Sequence, residues 1–227
     1  MENGCSPKKI LLSWSGGKDS VMALYTLLQR PEICVEALLT TITAEYARIA
    51  IHGVRRLLLH EQARALGLPL KEVLIAPGAD NAQYEARMGA ALAEAMEQGI
   101  SGCAFGDLFL QDIRAYRDQQ LARIGMEALY PVWGRNTHEL IHEFLDLGFQ
   151  SLIVCVDPRK LSPDFAGRKI DRALLADLPQ EVDPCGENGE FHTFVFDGPI
   201  FQRPVVLSVG EKVLRDGFWF CDLLPQT

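Results

Sequence analysis

"LLSWSGGKDSVMAL", residues 11–24, runs from one apolar stretch into another through SGGKDS, and that junction decides the fold. "KKILLSW" (8–14) reads as a buried strand, while Val21, Leu24, Leu27 and Leu28 recur at helical spacing. Gly16 and Gly17 let the chain turn tightly between them, so that successive backbone N–H groups can point at one anion. The positive end of the following helix strengthens that field, and Lys18 adds a full charge. Ser15 and Ser20 offer hydroxyl donors to phosphate oxygens. Asp19 reads either as a carboxylate at the helix N-terminus or as a ligand of Mg²⁺ bridging phosphates. A plain glycine turn with a capped helix would use the same letters. The Walker spacing GxxxxGK[ST] is absent.

Outward from the junction, strand-like and helix-like segments alternate. "ICVEALLTTIT" (33–43) reads as a second strand, and "GVRRLLLHEQARALG" (53–67) as a helix closed by Gly67. "KEVLIA" (71–76) gives a third strand, and a helix over 81–98 is expected to bury Tyr84, Met88, Ala91, Leu92 and Met96. "GCAFGD" (102–107) is a short strand, "DIRAYRDQQLARIG" (112–125) a helix, and "EALYPVW" (127–133) a last short strand. Repeated units of this kind predict an α/β fold, a Rossmann-like parallel sheet with helices on both faces. Such sheets hold ligands beyond the carboxyl ends of their strands. SGGKDS and GDLFLQD both lie in such loops, and Asp107, following a glycine at a strand end, reads as a contact to Mg²⁺ or substrate.

After Pro131 the texture changes. A helix over 136–149, a strand over 151–156, the long connection "PQEVDPCGENGE" (179–190) and the β-rich runs "FHTFVF", "PVVLSV" and "FWFCDLL" predict a smaller C-terminal α+β domain. The boundary is placed near residue 133, giving a ligand-holding α/β domain over 1–133 and a second domain over 134–227.

The formal net charge of −8 argues against a phosphate-gripping nucleic-acid partner. The cysteines at 5, 34, 103, 155, 185 and 221 form no CxxC pair and read as reduced thiols, so a cytoplasmic protein is expected. No apolar run approaches a membrane span, and the start "MENGCSPKK" has no signal-like core. A homodimer stays open.

SGGKDS resembles the PP-loop, SGGxDS, of the N-type ATP pyrophosphatases. "IHGVRRLLLHEQARALGLPL", "GCAFGDLFLQDIRAYRDQQLARIGMEALYPVWG" and "DPCGENGEFHTFVFDGPIF" resemble the diphthine–ammonia ligase family along nearly its whole minimal length. That resemblance implies ATP cleaved between its α and β phosphates, with Lys18, Asp19 and Asp107 as catalytic residues. It also implies Ser13, Ser15, Gly16, Gly17, Lys18, Asp19, Ser20, Thr41 and Gly106 around the nucleotide. Mg²⁺ would be held by Asp19 and Asp107. The implied co-substrates are free ammonium and a carboxylate, diphthine on elongation factor 2 if the family substrate holds. His52, Asp112, Arg114, Glu187, Asn188, Glu190 and His192 are expected to bind it. His52 and Asp112 also read as helix caps, and Trp133 as core or aromatic wall. A strand period of two from Glu190 puts His192, Phe194 and Phe196 on its face. Cys185 reads as structural, and Lys18 as a solvent-accessible loop residue. Two rivals are a tRNA-modifying PP-loop enzyme and a nucleotide-binding module without turnover.

Overall fold

The computed structural model describes residues 6–43, 48–49 and 53–226. Strand β1 (Lys8–Ser13) leads through the SGGKDS turn into helix α1 (Lys18–Leu28). There follow β2 (Ile33–Thr43), the two-residue β3 (Arg48–Ile49), α2 (Arg56–Leu66), β4 (Leu70–Ile75), α3 (Asn81–Glu97), β5 (Gly102–Ala104), α4 (Gln111–Arg123) and β6 (Glu127–Leu129). The first sheet runs β4-β2-β1-β5-β6, all parallel, with β3 pairing antiparallel to the end of β2. The α/β reading holds. Gly67 closes α2 with φ 69°, in the left-handed region expected of it.

The second half supplies α5 (Thr137–Asp146), β7 (Gln150–Val156), a 3₁₀ turn (Pro163–Phe165), α6 (Arg172–Asp177), β8 (Phe191–Asp197), β9 (Leu207–Arg215) and β10 (Phe218–Pro225). Its four strands form an antiparallel sheet in the order β8-β7-β10-β9. One large apolar cluster takes in Leu12, Trp14 and Leu24 from the first half and Phe191, Phe194 and Val195 from the second. Several polar links tie the halves as well. Val195 N–H donates to Gly16 O at 2.9 Å, Gln202 N–H to Ala65 O at 2.7 Å, and Arg55 grips the Asp222 carboxylate through two nitrogens at 3.0 and 2.5 Å.

Two sequence expectations change here. Helix α3 fully buries Leu92 and Ala95 rather than the whole stripe. Tyr84 and Met88 line a cavity, and Met88, like Ala91, also packs partly buried against a core cluster with Leu92. The strand expected over 204–209 starts later and runs to Arg215, where it pairs with β10.

Candidate functional site

A cavity of about 730 Å³ opens at the carboxyl ends of β1, β2 and β5. Its floor is the SGGKDS turn. Gly16 has φ 77°, and a Cβ there would lie 2.9 Å from Gln62 Oε1, so glycine answers both the backbone and the packing. The turn is held from beneath by Gln62, whose amide donates to Gly16 O at 3.0 Å and Val195 O at 2.6 Å. Its own oxygen accepts from Trp14 Nε1 at 2.7 Å. Gly17 caps α1 with no side-chain bond of its own. Instead, Thr193 Oγ1 on β8 accepts from Lys18 N–H at 3.0 Å. Ser15 Oγ accepts from Gly17 N–H at 3.2 Å and lies 3.2 Å from Ser20 Oγ.

Lys18 is buried, contrary to the solvent-accessible placement expected, because the second half of the chain folds over it. Its Nζ sits 2.8 and 2.9 Å from the two Asp19 oxygens and 3.6 Å from Glu187 Oε1. Burial opposes the lysine charge, but Asp19, Cys185 and Glu187 outweigh it and hold its pKa above the ordinary value. Glu187 moves upward: burial first, then the negative charge of Asp19, against the pull of Lys18. Burial, with Lys18 adding to it, pushes His192 down to about 4, so its imidazole is neutral near pH 7.

On the β5 side, Gly106 presses on the start of α1, and a Cβ there would lie 2.8 Å from the Asp19 carbonyl oxygen. Asp107 is bonded to Arg117, whose guanidinium also covers the Phe105 ring at 4.2 Å. Burial raises the Asp107 carboxyl, with Arg117 opposing and Asp19 reinforcing.

The GENGE loop is stapled by its own groups. Glu190, 2 % exposed, accepts from Asn188 N–H at 2.9 Å, Asn188 Nδ2 at 3.1 Å and Asp183 N–H at 3.2 Å. Asp183 Oδ1 accepts from Cys185 N–H at 2.8 Å, and Lys160 bonds Asn188 O. The loop thereby presents Glu187 and Asn188 to the cavity and turns Glu190 away.

Ser13, Ser15, Lys18, Asp19, Ser20, Thr41, Gly106, Asp107, Glu187, Asn188 and His192 all line this one cavity. Gly16 and Gly17 form the turn beneath. Glu190 does not line it, since its carboxylate is committed to the loop. Asp112 and Arg114 do not either. Both sit in the first turn of α4, and Arg114 stacks on Tyr130 and Trp133 at 4.6 and 4.5 Å. Trp133 is thus a partner of Arg114 rather than a cavity wall. His52 lies outside the described residues. Cys185 is buried, lines the cavity and donates to Thr137 O at 3.3 Å, and burial lifts its thiol to about 12.

The residues the sequence reading missed are Thr40, Tyr84, Met88, Arg117 and Thr193 at the cavity and Gln62 beneath it. Arg117 lies three residues beyond Arg114 in α4, past the first turn, and no sequence signal singled it out. Gln62 stands inside the apolar stripe of Leu58, Leu59, Ala63 and Leu66, a buried-polar signal.

Among the described residues no cluster of three or more His, Cys, Asp or Glu forms a metal site. No described helix is long and apolar enough to cross a membrane. The pattern described as the Diphthamide synthase N-terminal domain matches residues 8–128, and that of the Diphthamide synthase C-terminal domain matches residues 136–223. Among curated proteins, the diphthine–ammonia ligase of Homo sapiens is 28% identical over 125 residues, covering 52% of this chain and 46% of that protein. Its Bos taurus counterpart is 27% identical over 122 residues with the same coverage. That of Schizosaccharomyces pombe is 28% identical over 105 residues, 44% of this chain and 17% of that protein. The matches thus span about half of the mammalian relatives' length, and less of the yeast one.

Proposed function

This chain belongs to the diphthamide synthase family, and from that premise we propose that it is an ATP-dependent ligase that adenylates a carboxylate and replaces AMP with ammonia. The observation that carries the reading is the position of Lys18 Nζ, between Asp19 of the first half and Glu187 of the second. A carboxylate is a poor electrophile because oxide is a poor leaving group. Transfer to the α-phosphate makes AMP the leaving group and releases pyrophosphate. The protein's task is then to neutralise phosphate charge and align the attacking carboxylate.

Residues 1–133 would hold ATP, with the α1 N-terminus and Lys18 stabilising charge on the departing pyrophosphate. Asp19 and Asp107 suit Mg²⁺, which binds through one or two carboxylates together with phosphates. Both carboxylates face the cavity, and their mutual repulsion, which helps raise Asp107, is what a divalent cation would relieve. When bound, the ion would neutralise the phosphate oxygens. Residues 134–227 would bind the acceptor, with Glu187, Asn188 and His192 as its contacts. A neutral His192 can hydrogen-bond the acceptor without adding charge. We assign the acceptor to a diphthine-like carboxylate, borne by elongation factor 2 in the cytoplasm, and the nitrogen to free ammonium.

Incubation with ATP, Mg²⁺, ¹⁵N-ammonium and a diphthine-bearing acceptor tests this directly. The acceptor should gain one ¹⁵N amide nitrogen by mass spectrometry, and an unlabelled acceptor would exclude the ligase reading.

A further inference from the structure

Among the described residues, two buried hydroxyls have no hydrogen-bond partner, Thr40 and Ser151. Ser151 lies on β7 and does not line the cavity, whereas Thr40 lines it while being only 3 % exposed. A buried hydroxyl without a partner costs free energy in the protein alone. Valine has nearly the same shape and suits a strand at least as well, so shape and strand preference do not explain a threonine here.

Position says what the hydroxyl meets. Leu38 packs into the larger apolar cluster and Leu39 into the smaller, so alternation along β2 returns Thr40 to the face of Leu38 and puts Thr41 on the other. Trp14 N–H donates to Leu39 O at 2.8 Å, which fixes this part of β2 beside the residue that enters the phosphate turn. Thr40 is the next residue. A nucleotide whose phosphates lie on the Ser15–Ser20 turn has its sugar and base to one side of it. The β5 side of the cavity carries Asp107 and Arg117, charged groups suited to metal and phosphate, whereas the β2 side carries Leu39, Thr40 and Thr41, which suit a sugar or base.

We propose that the Thr40 hydroxyl is a nucleoside-recognition contact, hydrogen-bonding the ribose or base of ATP whose phosphates occupy the SGGKDS turn. The proposal rests on the ATP reading above and adds the residue that reads the nucleoside. A hydroxyl both donates and accepts, so it serves either group. Thr41 also lines the cavity but is partly exposed, where water can satisfy its hydroxyl, and its replacement should matter less.

The test compares the wild-type protein with Thr40→Val, Thr40→Ser and Thr41→Val. Calorimetric titration uses α,β-methylene-ATP, which cannot be cleaved at the bond in question, and thermal unfolding is followed without nucleotide. Removing the hydroxyl should raise Tm and yet weaken nucleotide binding about tenfold, because the ligand's polar group is then left unpaired. Thr40→Ser keeps the hydroxyl and should bind within about twofold of wild type, and Thr41→Val should lose less than Thr40→Val. Wild-type affinity in Thr40→Val, or a lowered Tm, overturns the assignment while leaving the ATP reading intact. A wild-type protein that does not bind the analogue overturns both.

Discussion

The backbone N–H of Lys18 is capped by Thr193 Oγ1 at 3.0 Å, from a strand 175 residues away in sequence. The first helix of one sheet is therefore finished by a side chain of the other. This bond sets the start of α1, and with it the direction of Lys18, Asp19 and Ser20. Thr193→Val keeps the shape and removes the acceptor. The loss of a cap typically costs about 1 kcal/mol. Tm should fall accordingly, and kcat should fall with it because the turn is no longer registered against β8. Unchanged Tm and kcat would show that α1 is fixed by its own turn.

Lys18 makes the sharpest catalytic claim. Lys18→Met should lower kcat on the order of 10²-fold or more, as for the loss of an oriented charge-stabilising group. Burial between two carboxylates adds a stability cost absent for an exposed lysine. Steady-state kinetics and thermal unfolding on the same preparation test both halves. Full activity would return SGGKDS to an ordinary turn.

The pH response of Glu187 has a definite sign. Its folded-state pKa lies above its unfolded value, so the native protein holds a proton that the unfolded chain has released. Stability present at low pH is therefore lost as pH rises through that window. Glu187→Gln has no such loss. Its Tm relative to wild type should climb from about pH 5 to about pH 8. A difference that is flat or falls with pH would mean that Lys18 fully compensates the carboxylate.

Gly106→Ala should damage stability and activity together. The added Cβ would meet backbone atoms of Asp19 and Ser20 at 2.8 to 2.9 Å, and backbone cannot swing aside as a side chain can. Overpacking of this kind costs about 1–3 kcal/mol. The relief available is to push α1 off β5, which moves Asp19. Thermal unfolding with kcat measurement would detect it, and a silent variant would show slack between β5 and α1.

Much of this was legible in the chain. SGGKDS between an apolar run and a helical stripe specified the strand, the turn and the helix, since those properties are local. Glu187, Asn188 and His192 line the cavity, and Glu190 does not. A strand period says which residues share a face, and Glu190 precedes β8, in a loop whose N–H groups claim its carboxylate. The burial of Lys18 and the remote cap from Thr193 depend on the second sheet folding over the first. Neither is encoded within a helical turn of the residue concerned.

The central claim is that both halves build one site that splits ATP between its α and β phosphates. The most direct measurement is product identity in the presence of ammonium and the diphthine-bearing acceptor, by chromatography and a pyrophosphate assay on the same samples. The account predicts AMP and pyrophosphate in equal amounts, with both lost in Lys18→Met. ADP and orthophosphate as the primary products would contradict it.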